Sequence, residues 1–136
     1  MTARFRLFLI WFGGFLACLV LLFYFLLSGD MLIENLVPDL SVLVGVFAPY
    51  LTTILGFWFA RRAVIDGQHA YSPDSFRIAA VCSLLFQMAI LALLFSAIFR
   101  KGEGVIESAI GQAASVSSLL AFLVGPAIGF FFGKPK

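Results

Sequence analysis

Residues 51–62 read LTTILGFWFARR and residues 123–136 read LVGPAIGFFFGKPK. Each holds a glycine, three aromatics, a small residue and a cation in the same order, Gly56 to Arg61 and Gly129 to Lys134. Each also closes a long run without charge. An apolar run that ends in aromatic rings and then a cation is how a spanning helix meets the headgroup level of a bilayer. Read this way, the motif marks the same end of two membrane helices.

The rest of the chain agrees. Of its 136 residues 62% are hydrophobic and 12% charged, whereas a soluble domain carries roughly 25% charged residues. Four uncharged runs stand out: Leu7 to Leu27, Leu40 to Ala60, Ile78 to Phe99 and Ser108 to Gly133. Each is long enough, at about 1.5 Å per residue, to cross roughly 30 Å of hydrocarbon. Barrel strands would alternate apolar and polar residues, and these runs do not. The sequence therefore predicts an all-α integral membrane protein with four transmembrane helices. The connecting loops are too short for a soluble catalytic or nucleotide-binding domain. The run after Arg4 and Arg6 continues well past Cys18, which favours a retained first helix over a cleaved signal peptide.

Cations set the expected orientation. Arg4, Arg6, Arg61, Arg62, Arg77, Lys134 and Lys136 fall on one side of a four-span path, and Arg100 and Lys101 on the other. The excess predicts that both termini are cytoplasmic, in a prokaryotic inner (plasma) membrane. Trp11, Trp58, Arg61, Arg62 and Lys134 are then expected to anchor the helix ends at the lipid interface. The net charge of +2 reflects this sidedness. It forms no basic stripe, so nucleic acid is not an expected partner.

The two aromatic motifs are 73 residues apart, and the same offset places Arg4 on Arg77, Gly29 on Gly102, Asp30 on Glu103 and Glu34 on Glu107. This pattern predicts an internal repeat: two tandem helical hairpins in the same orientation, residues 1–66 and 67–136, related by an axis along the membrane normal. In each outer turn a glycine can end one helix in the left-handed conformation, and the acid after it suits the positive start of the next. Helices two and four, if they begin near Met31 and Gly104, would each extend about 45 Å. Pro49 and Pro126 are candidate hinges within them, since each removes a helix hydrogen bond.

Small residues recur every four positions in the last helix, at Ala113, Ser117, Ala121, Gly125, Gly129 and Gly133, with a shorter series at Ser41, Gly45, Pro49 and Thr53, then Gly56 and Ala60. Such stripes let backbones approach closely, either inside the bundle or between subunits. Gln87 and Ser83 form a polar face near the middle of helix three, suited to bonding another helix or contacting a solute. Ser108, Gln112, Ser115 and Ser118 give the outer half of helix four a second polar stripe. Cys18 and Cys82 are expected at different depths, which disfavours a disulfide. Asp66, His69 and Asp74 offer too few ligands for a metal centre.

The uncharged runs lack the intramembrane acids and bases of proton relays, ion-coupled carriers and haem sites. The expectation is a nonenzymatic four-helix bundle without a cofactor that works by assembly, as a homo-oligomer or a subunit of a membrane complex. The alternatives are a holin-like pore or membrane-permeabilising effector, and a small-solute carrier without intramembrane charges.

Overall fold

A computed structural model describes residues 3–60, 73–100, 102 and 104–133, without the side chains of residues 58–60, 73 and 133. Four long helices account for almost all of it: α1 Ala3–Ser28, α2 Leu36–Ala60, α3 Pro73–Phe99 and α4 Val105–Gly133. All four are long and apolar enough to cross a membrane. The chain is an all-α, four-helix integral membrane protein. A spanning segment must satisfy its backbone within itself, and a continuous helix does so.

The two ends of the bundle differ in construction. At one, here the turn end, α1 stops because Gly29 enters the left-handed region at φ 80°. Its N–H bonds the Leu26 carbonyl at 3.4 Å and the Asp30 N–H bonds that of Phe25 at 3.1 Å, capping carbonyls that would otherwise be orphaned. Ser28 Oγ donates to Asp30 Oδ2 at 2.7 Å. In the second turn Gly104, at φ 77°, takes the left-handed conformation.

The start of α2 departs from expectation. A 3₁₀ turn, Ile33–Asn35, precedes it, and the α-helix begins at Leu36 instead of near Met31. Leu32 is extended, with φ −76° and ψ 142°. Pro38 then falls in the first helical turn, where its missing N–H costs little. The 25 residues of α2 extend about 37 Å and the 29 of α4 about 44 Å. Both helices continue through their prolines, Pro49 and Pro126.

Each helix has two main neighbours: α1 packs on α2 and α3, and α4 packs on α2 and α3. A two-fold axis through the bundle would put α1 diagonally opposite α3. Instead, like helices are adjacent and parallel, so the hairpins lie side by side, as if one were translated onto the other. Two hydrogen bonds record this register. Trp11 to Ser83 and Asn35 to Glu107 each join residues 72 apart, one on the α1/α3 seam and one on α2/α4.

The interior is filled with aromatic and aliphatic side chains, with Trp11, Phe47, Phe86, Ile90 and Leu94 almost wholly enclosed. The outside is equally apolar: Val20, Leu27, Met88, Leu119 and Phe122 are all more than 60% exposed. In a lipid solvent that arrangement carries no penalty.

Candidate functional site

The two seams between like helices hold several of the residues that the sequence singles out. On the α1/α3 seam, Trp11 is fully buried and donates from Nε1 to Ser83 Oγ at 3.0 Å. Its ring stacks on Tyr50 at 4.3 Å and lies 5.2 Å from Phe86 and 6.0 Å from Phe47. The interface-anchor reading of Trp11 is therefore corrected. An indole needs a partner for one N–H only, and Ser83 supplies it inside the bundle. Trp58 lies among the undescribed side chains, and Arg61, Arg62 and Lys134 outside the described residues.

One helical turn further along, Gln87 is 5% exposed, and its carboxamide fills the space over Gly14. A methyl group built on Gly14 would overlap that carboxamide. Gln87 and Ser83 thus both face inward, and Gln87 Nε2 has no hydrogen-bond partner. Sequence reasoning overlooked Gly14. The signal was present: Gly14 and Gln87 are 73 residues apart, the same separation as the two aromatic motifs, and α1 and α3, lying side by side, bring residues at that separation together.

The α2/α4 seam is built differently. Gly45, Pro49 and Thr53 on α2 face Ser117, Ala121 and Gly125 on α4 across an open groove of about 440 Å³. A Cβ added at Gly45, Gly56, Gly125 or Gly129 would meet no atom within 4 Å. Gly133 ends α4. The two stripes thus face each other without closing from Gly45 to Thr53 and from Ser117 to Gly125, while Gly56 and Gly129 lie exposed outside the groove. Hydroxyls there satisfy themselves: Thr53 Oγ1 donates to the Pro49 carbonyl at 2.6 Å and Ser118 Oγ to that of Ala114 at 3.1 Å. Ser115 Oγ likewise donates to the Gly111 carbonyl at 3.0 Å. Gln112 and Ser115 are exposed on the outer face of α4.

This seam is fastened at its ends. Asn35 Nδ2 donates to Glu107 Oε1 at 2.8 Å at the turn end. At the other end Phe57 and Phe132 stack with centroids 4.9 Å apart and rings 1° from parallel. The aromatic motifs of the two hairpins therefore touch, and the Arg4 guanidinium lies 5.9 Å from the Phe132 ring.

A second omission is Asp39, which belongs to the first turn of α2, is 7% exposed and leaves Oδ2 without a hydrogen-bond partner among the described residues. Elsewhere, Cys18 is buried and Cys82 half-buried, both as free thiols. Among the described residues no three His, Cys, Asp or Glu side chains gather as a metal set. Comparison with known protein families, with characterised proteins and with solved structures finds no match for this chain.

Proposed function

We propose that this is a nonenzymatic membrane protein that acts by assembly, with further copies of itself or as a subunit of a larger membrane complex, and that the α2/α4 groove is the assembling face. The observation that carries this reading is the pairing of two small-residue stripes that no helix of the same chain fills. Association in lipid depends on close van der Waals approach, and Gly45, Ala121 and Gly125 permit it where a leucine would not. A four-residue spacing on a helix of 3.6 residues per turn drifts around the axis, so a helix following the groove would cross in the right-handed sense. The cation asymmetry supports cytoplasmic termini.

The test is the particle mass in mild detergent of the wild type and of Gly125→Leu. The variant should lose the larger species, or its partners in a pull-down, while retaining the same thermal unfolding. Unchanged assembly would mean that the groove faces lipid. Orientation is read separately in a background lacking Cys18 and Cys82: external thiol reagents should label Glu34→Cys and spare Asp74→Cys.

A pore formed between subunits is the second reading. Gln112 favours it, as an exposed carboxamide on a spanning helix is better placed against water than against lipid. The aromatic filling of the single bundle argues against a lumen within one chain. Planar-bilayer recording separates the readings: a wild-type current lost in Gln112→Leu supports the pore, and no current from either supports simple assembly.

A further inference from the structure

We propose that the lipid-facing side of the α1/α3 seam, at the turn end, is a binding site for one phospholipid with a phosphoethanolamine headgroup. The site is separate from the α2/α4 groove and independent of the assembly reading. Its head is a cleft of about 270 Å³, lined among others by Tyr24 and Phe25 of α1, Ile98 of α3, Asp30 in the first turn and Arg100 just past the end of α3. Arg100 and Asp30 line this one cleft, yet among the described residues no ion pair joins them. Asp30 Oδ2 accepts from Ser28 Oγ at 2.7 Å, which holds the carboxylate without neutralising it. The two opposite charges are thus placed to meet one ligand that carries both.

A second cleft, of about 360 Å³, lies on the same two helices and is lined by Leu21, Met88, Leu91, Ala92 and Phe95, without a charged side chain. Leu21 precedes Tyr24 and Phe25 by three and four residues, and Leu91 and Phe95 precede Ile98 by seven and three. Residues at these spacings share a helix face. The apolar cleft therefore continues the charged one toward the middle of the bundle. From Met88 to Arg100 the chain rises about 18 Å, close to half of the roughly 30 Å of hydrocarbon, so the two clefts together have the length of one leaflet. A charged head at the interface above an apolar groove matches a lipid, and Tyr24, Met88 and Phe95 each leave half or more of their surface open to the bilayer. Charge then selects the headgroup. A guanidinium grips phosphate through paired N–H donors, and a carboxylate accepts from an ammonium. Phosphoethanolamine supplies both groups. Phosphocholine brings a positive charge with no N–H to donate, and phosphoglycerol leaves Asp30 facing an anion.

The experiment takes the full chain, stripped of lipid in mild detergent, and titrates it with phosphatidylethanolamine, phosphatidylcholine or phosphatidylglycerol of identical acyl chains in mixed micelles. Native mass spectrometry counts the retained lipid, and the unfolding midpoint reports saturable stabilisation. Wild type should retain one phosphatidylethanolamine with a saturable rise in midpoint, and bind the other two about tenfold more weakly, as one charge-assisted hydrogen bond is lost. Asp30→Asn should erase the preference for ethanolamine over choline, and Arg100→Gln should weaken both by about tenfold. Ala92→Phe, at an exposed position, should fill the apolar cleft and cut phosphatidylethanolamine binding while leaving the lipid-free midpoint unchanged. Equal retention of the three lipids would overturn the site, since any lipid then coats this surface. A preference for phosphatidylglycerol would overturn it too, giving the cleft to an anion alone. So would headgroup-site or Ala92→Phe variants that bind as wild type does.

Discussion

The two seams between like helices share a parallel register yet have opposite fillings. On α1/α3 a glycine lies under a long polar side chain, Gly14 beneath Gln87, and the space is taken. On α2/α4 small residues face small residues, and about 440 Å³ stays open. A stripe of glycine and alanine is therefore no measure of tight packing by itself. What matters is the side chain across from it. One seam is filled by side chains, and the other stays open between its two fastened ends.

The largest test of that contrast is Trp11→Ala. Trp11 joins α1 to both α2 and α3 through Phe47, Tyr50, Phe86 and Ser83. In water-soluble cores such a truncation costs about 3–5 kcal/mol. Lipid is as apolar as the core, so the transfer share is absent and the lost dispersion remains. Unfolding in detergent should show a loss of about 2–3 kcal/mol. A loss below about 1 kcal/mol would mean that this seam does not carry the fold.

A matched pair comes next. Gly14→Leu should overpack its seam and cost about 1–3 kcal/mol. Gly125→Leu, where an added Cβ meets nothing within 4 Å, should leave monomer stability within about 0.5 kcal/mol. Measured side by side, equal losses would erase the distinction between the seams. A loss at Gly125 alone would reverse it.

Much of the architecture was legible because charge is expensive in a bilayer: the uncharged runs delimit the spans, and Gly29 with Asp30 marks the turn after α1. The inward face of α3 was legible for the same reason, since Ser83 and Gln87 are polar. Which way Trp11 points was not, because core-facing and lipid-facing residues are equally apolar, so the pattern that reveals a buried face in water is missing. Asp39 was not singled out because a span delimited by the absence of charge excludes a carboxylate by definition, even one inside the helix. Gly14 was overlooked because a lone glycine acquires meaning only once its neighbour is known. Like-helix adjacency, instead of a two-fold arrangement, supplies that neighbour.

The finest test returns to Gln87. Its Nε2 is buried without a partner, so the side chain gains less from hydrogen bonding than its depth suggests, and it contributes chiefly by filling the space over Gly14. Replacing an unsatisfied polar group with an apolar one of similar size is nearly neutral. Gln87→Leu should therefore change stability by less than about 1 kcal/mol. Gln87→Ala should cost more, because it opens a cavity. In a double-mutant cycle, Gly14→Ala should be destabilising beside Gln87 and tolerated beside alanine, with a coupling energy of about 0.5–2 kcal/mol. A cycle that closes at zero would show that the two residues do not touch, and the closed seam would then owe its stability to the Trp11 cluster alone.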